Sequence, residues 1–194
     1  MKSLFALCVV AGAWPLVQAQ TAPIGGPVTG SVVGGLQVPT AIQSKQLAFN
    51  NSQAQFASHN FAAAEDMLEA ANVAAKGSPQ WHFESGFSLA RVAFVFQSHA
   101  DAVTAEAVAR LALTRLKVAD QTYAASTSPG EIANEKELTG YIYQFLLGDR
   151  STAKTYYQAA VKLSPKTGNA PALLAAITAS ETAEAQKLAA AQGN

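Results

Sequence analysis

Ser151-Thr152-Ala153-Lys154 sets a lysine three positions after a serine, the arrangement in which a serine attacks a carbonyl carbon and a lysine stands close enough to help move its proton. Lys166-Thr167-Gly168 follows it. Three histidines, His59, His82 and His99, are candidates for metal ligation or proton transfer, and Glu65-Asp66-Glu69 clusters carboxylates within two helical turns. Asn50-Asn51-Ser52 spells an acceptor for N-linked glycosylation.

Each of these patterns lacks the companions its chemistry needs. In the penicillin-binding proteins the Lys-Thr-Gly lies on a strand far downstream of the Ser-x-x-Lys, in a much larger α/β domain. Here it follows by about a dozen residues and no Ser-Asp-Asn occurs. Ser151 therefore reads as a first-turn residue after Asp149. None of the histidines has another three or four residues away, and the sole cysteine, Cys8, falls in the leader, so no metal or other cofactor site is expected. Glu65, Asp66 and Glu69 fall in the first turns of a helix, where acids complement the dipole. The sequon would lie on a helix. No catalytic residue is assigned, and an enzyme would need a polar pocket holding an ionisable group of shifted pKa.

The elements that must position these residues begin after a leader. Lys2, an apolar run from Leu4 to Ala13, Trp14-Pro15 and the small residues Val17 and Ala19 read as a signal peptide over residues 1–19, cut after Ala19. Its apolar core is well short of the ~20 residues that span a bilayer. The expected location is periplasmic or extracellular. Without Lys2, 12 basic residues remain against 13 acidic ones, and no cysteine remains to form a disulfide. A chain so nearly neutral offers no basic patch for nucleic acid. Residues 20–39 are dense in Gly and Pro and read as a flexible linker.

From residue 40 to 194 the composition is that of an all-α domain. Alanine is abundant, β-branched residues are thin, and 13% of the residues of the whole chain are charged. Thr40 with Gln43, and Ser128-Pro129 with Glu131, place a hydroxyl before a helix and a polar acceptor three residues on. Ser78-Pro79 and Asn169 mark further starts, and Gly77 and Gly148 suit left-handed ends. The pattern predicts helices near 41–58, 61–76, 80–98, 101–125, 130–147, 150–163 and 170–190. They pair two by two, with the last left over.

Within the third pair, Gly140, Tyr143, Gly148-Asp149, Ala153, Tyr157, Ala160 and Pro165 supply small residues where two helices touch, aromatics beside them and a turn between. Ala93, Phe96, Ala100-Asp101, Ala105, Ala109 and Ala112 repeat the order in the second pair, and Phe61, Ala64, Leu68 and Ala71 echo its second half in the first. The order resembles the tetratricopeptide repeat. Ala64, Ala105 and Ala153 are separated by 41 and 48 residues, against ~34 in regular arrays, so the units are lengthened. The resemblance implies antiparallel helix pairs stacked as a short array, with the final helix, carrying Leu173, Leu174, Ile177 and Leu188, as its cap.

It also implies a concave groove lined by the first helix of each pair. The family's groove positions fall on Phe49, Gln53 and Phe56, then Phe87, Phe94 and Gln97, then Glu137, Tyr141 and Gln144. Chaperone-binding members hold a terminal carboxylate there with Lys, Arg and Asn, and those are missing at the matching places; Arg91 sits beside the set. Such a surface suits an apolar or extended peptide. In the fourth helix Ala105, Ala109, Ala112, Leu116, Ala119 and Tyr123 form a heptad-like seam, read either as a core stripe or as a contact for a second chain or partner helix. The reading is an exported, non-catalytic protein-binding or assembly scaffold. Its alternatives are a self-associating structural protein of the cell envelope and, remotely, an unrecognised hydrolase. Small residues at the predicted helix contacts make Ala105→Leu and Ala153→Leu overpack, each lowering stability by ~1 to 3 kcal/mol; unchanged thermal midpoints for both would contradict the assignment.

Overall fold

A chain that must reverse direction after a helix needs one residue in the left-handed region and a partner for the freed amides of the next helix. Three turns share the left-handed residue, and two of them share the cap. His59, Ala100 and Gly148 take φ of 56°, 62° and 70°. Each precedes a helix N-cap of similar geometry: Asn60 (φ −91°), Asp101 (φ −90°) and Asp149 (φ −89°). Asp101 Oδ1 accepts from the Thr104 amide and Asp149 Oδ1 from the Thr152 amide, both at 3.0 Å. Asn60 instead donates to the Gln55 side chain.

The computed structural model describes residues 40–166 and 168–192, with side chains from Ser44 onward. The expected leader ending at Ala19, the linker of residues 20–39 and the Thr40–Gln43 box therefore lie outside the described residues or side chains. Among the described residues the chain is all-helical, as expected: α1 (Thr40–Ala57), α2 (Phe61–Glu69), α3 (Pro79–Ser98), α4 (Ala102–Thr122), α5 (Pro129–Phe145), α6 (Arg150–Leu163) and α7 (Ala170–Gln192). The predicted starts at Ser78 and Ser128 hold. Ser78 Oγ accepts from the Trp81 amide, and Ser128 and Glu131 form a reciprocal capping box with Pro129 in the first turn.

The largest departure is α2, which ends at Glu69 rather than 76. The following residues are drawn out by α3. Asn72 Nδ2 donates to the Trp81 carbonyl at 3.3 Å and to Ser85 Oγ at 2.8 Å, and the Val73 and Ala74 amides donate to Glu84 Oε2. The Val73 and Ala74 amides, bound to a carboxylate ten or more residues downstream, cannot also continue a helix. α4 stops at Thr122 rather than 125, since Tyr123 turns to an extended conformation (φ −57°, ψ 129°).

Contacts join α1 to α2, α3 to α4 and α5 to α6, and α7 packs on α6; α1 also touches α3, and α3 touches α5. One core gathers Phe49, Phe56, Leu68, Leu89, Val108, Leu116 and Ile142, and a second gathers Ala133, Ala153, Tyr157, Ala160, Ala170 and Ile177. The α4 seam from Ala105 to Ala119 is buried, a core stripe, with Tyr123 half-buried at its end. Ile177 is buried and Leu173 and Leu174 pack on the second core, whereas Leu188 is 61% exposed and takes no part.

The left-handed turns make a direct test. A Cβ at positive φ costs roughly 1 kcal/mol, which glycine does not incur. Ala100→Gly should raise stability by about that amount, read as a higher urea midpoint; an unchanged or lower midpoint would deny the turn its conformation.

Candidate functional site

Side chains three or four apart on a helix share a face, so the first helix of each contacting pair decides which of the nine groove residues can meet. The structure divides them. Phe49 is 8% exposed and Phe56 not at all. Phe56 packs edge-on against Phe61 at 5.7 Å between ring centres, and both α1 aromatics belong to the core rather than to a groove. Glu137 is also withdrawn. It is 7% exposed, and its Oε2 accepts from the Asn169 amide at 2.9 Å and the Ala170 amide at 3.0 Å, capping α7 from α5. Gly168 (φ 73°) lies so close that a Cβ there would collide with the Glu137 carboxylate.

Of the remaining positions Gln97 is exposed and the others are half-buried. Phe94 meets Tyr141 edge-on at 5.4 Å and Tyr141 meets Phe145 at 4.4 Å, carrying an aromatic run from α3 onto α5. Gln97 donates to the Phe145 carbonyl at 2.6 Å and fixes that junction. Phe87 stacks on Phe83 at 6.5 Å, partly buried against the core. Gln144 accepts from the Tyr157 hydroxyl at 2.8 Å, and Gln53 is half-buried on α1. Phe145, 38% exposed, was not among the expected residues. Its position four after Tyr141 is the signal that places it on the same face.

A second feature escaped the sequence reading. Leu113, Thr114, Lys117, Asp120, Glu135, Lys136, Thr139, Tyr143 and Tyr156 line a cleft of about 410 Å³ on α4, α5 and α6. Lys136 Nζ pairs with Asp120 and lies 3.1 Å from Glu135 Oε2, while Thr139 donates to Glu135 Oε1 at 2.8 Å. Burial pushes the Glu135 carboxyl above its usual range, against the opposing charge of Lys136 and the Thr139 hydrogen bond. Burial also acts to lower Lys136, but the hydrogen bond to Asp120 and the charge of Glu135 outweigh it and hold the ammonium above its ordinary value. Burial, with Glu135 nearby, pushes Tyr123 up to about 12.

Such a carboxyl is the shifted group in a polar pocket that catalysis would require. Its access is poor, however. Glu135 is 2% exposed, so a substrate proton reaches it only if the cleft opens. The Ser-x-x-Lys pair stands elsewhere: Ser151 is exposed on α6, and Lys154 pairs with Glu181 of α7. Glu65 and Glu69 are ion-pair partners of Arg115 on α4, and the first turn of α2 holds no acid, which corrects their reading as dipole acids. His82 sits beside Trp81, and burial, helped by Arg115, lowers its pKa. Among the described residues no cluster of three His, Cys, Asp or Glu could hold a metal, and no helix is long and apolar enough to cross a membrane. No protein family matches the chain, nor does any curated protein or solved structure.

The Glu135 shift has a defined sign. A folded pKa raised above the unfolded value of 4.5 means that the native state keeps a proton the unfolded chain has lost, so the contribution is present below pH 4.5 and disappears as pH climbs through the folded value. Relative to Glu135→Gln, the wild type should lose stability as pH rises from 4.5 towards neutrality. Parallel stability curves for the two proteins would contradict the assignment.

Proposed function

We propose that this chain is an exported, non-catalytic scaffold built of antiparallel, tetratricopeptide-like helix pairs, which holds an apolar, extended segment of a protein partner on the face shared by α1, α3 and α5. The observation that carries the reading is the half-open aromatic run Phe94–Tyr141–Phe145. It crosses between two helix pairs, and large apolar side chains left at such a junction mark contact surfaces. The antiparallel arrangement is supported by where small residues meet: Gly86, early in α3, lies against Leu116, late in α4, and Gly140, late in α5, lies against Ala153, early in α6. Export rests on the apolar leader and its small residues before Ala19.

One observation favours self-association as the second reading. From Glu181 to Gln192 every residue of α7 is exposed, Leu188 included, leaving about three turns of alanine-rich helix open to another copy. Sedimentation separates the two readings. A scaffold keeps a monomer mass across a hundredfold range of concentration, and a self-associating protein does not.

Binding itself is tested with the synthetic peptide acetyl-Ser-Leu-Phe-Gln-Leu-Phe-Ser-amide and the purified chain. Truncating one anchoring aromatic removes on the order of 1 to 2 kcal/mol, about tenfold in affinity. Phe94→Ala and Phe145→Ala should each weaken binding by about that factor, while Leu188→Ala leaves it unchanged. Equal binding by all four proteins would place the contact elsewhere.

A further inference from the structure

A guanidinium presents five N–H donors and keeps its charge at every physiological pH, so a half-buried arginine without an acceptor has lost hydrogen bonds to water that contact with a ring face does not replace. Arg91 is in that position. It lies in the middle of α3, half-buried, with its guanidinium carbon 4.5 Å from the centre of the Phe49 ring. Phe87 precedes it by one turn and Phe94 follows by one turn, on the same side of the helix. It forms no ion pair and donates no hydrogen bond among the described residues. Burial holds its pKa below the ordinary value.

The acids that could neutralise it are committed elsewhere. α1 contains none. Glu84, the one acid of α3, accepts from the Val73 and Ala74 amides. On α5, Glu131 closes the capping box, Glu135 pairs with Lys136, and Glu137 caps α7. Arg91 is therefore an uncompensated cation set among aromatic rings on the α1–α3–α5 face.

We infer that Arg91 is the polar anchor of this face and receives an acidic side chain lying within an extended apolar segment of the partner. The position of the cation makes the anion internal rather than terminal, because Phe87 lies one turn before Arg91 and Phe94 one turn after it, so a segment laid along the face meets apolar side chains on both sides of the cation. A carboxylate arriving there restores the hydrogen bonds that burial removed, in the paired geometry a guanidinium favours. The inference rests on the peptide-binding reading of the same face.

Three peptides test it against the full chain by fluorescence anisotropy: acetyl-Ser-Leu-Phe-Glu-Leu-Phe-Ser-amide, its Gln counterpart, and the Gln peptide with a free terminal carboxylate. The expected result is that the Glu peptide binds about tenfold more tightly than the Gln amide, that Arg91→Gln removes the difference, and that the free carboxylate gives no comparable gain. Arg91→Lys provides the folding control: it keeps the charge and loses the planar fork, so part of the preference should survive. Equal affinity for the Glu and Gln peptides overturns the inference and leaves the apolar face standing. A gain from the free terminus alone overturns it in favour of a terminal carboxylate. Binding of none of the three overturns both the inference and the reading beneath it.

Discussion

The close approach of helices at two glycines sets the rest of the arrangement. A Cβ built on Gly86 would lie 2.7 Å from Leu116 Cγ, and one built on Gly140 would lie 2.7 Å from Tyr157 Cε1, both inside van der Waals contact. The nearest backbone atoms they would meet are the Ala112 and Ala153 carbonyl oxygens, each at 3.2 Å, so each glycine lets one helix backbone approach the other closely. With the helices this close, the Tyr157 ring crosses Gly140 and delivers its hydroxyl to Gln144. One side of α5 is thereby spent on α6, and Tyr141 and Phe145 are left on another, towards Phe94 of α3.

The acids complete what the glycines begin. Glu84 straps the segment after α2 to α3, and Glu137 straps the start of α7 to α5. Both are carboxylates accepting backbone amides that would otherwise be buried or left open, an exchange favourable enough to offset their own desolvation. Glu135 is the costly member of the set, buried beside Lys136 and pushed towards its neutral form. With the acids of α3 and α5 engaged in structure, Arg91 is left without an acid beside the aromatic side chains of the α1–α3–α5 face. An aromatic face next to a cation selects its ligand by area and by charge together.

Local chemistry was legible in the sequence and remote chemistry was not. Ser128-Pro129 with Glu131, Ser78-Pro79 and Gly148 each act through neighbours within four residues, and each appears in the structure as read, whereas Gly77 is left-handed but stands eight residues past the end of α2. Ala100 in the place of a turn glycine was legible as well, and its φ of 62° matches that of Gly148 in the equivalent turn. The end of α2 was not legible, because Asn72 and the Val73 amide answer to Trp81, Ser85 and Glu84 on the next helix. Glu137 was misplaced for the same reason, its partners lying more than thirty residues away. Phe56 and Phe94 are alike in spelling, yet one is sealed by Phe61 and the other is half-open beside Tyr141, a difference set by neighbouring helices. The Glu135–Lys136–Asp120 cleft depends on α4 meeting α5, which no periodicity within either helix announces.

The claim that the α1–α3–α5 face is the contact surface is tested most directly by backbone chemical-shift mapping of the chain titrated with an aromatic, acid-bearing peptide. The account predicts shifts concentrated at Arg91, Phe94, Gln97, Tyr141 and Phe145, with the cleft residues Lys117, Asp120 and Tyr156 undisturbed. Shifts confined to the cleft, or to the exposed end of α7 around Leu188, would contradict it.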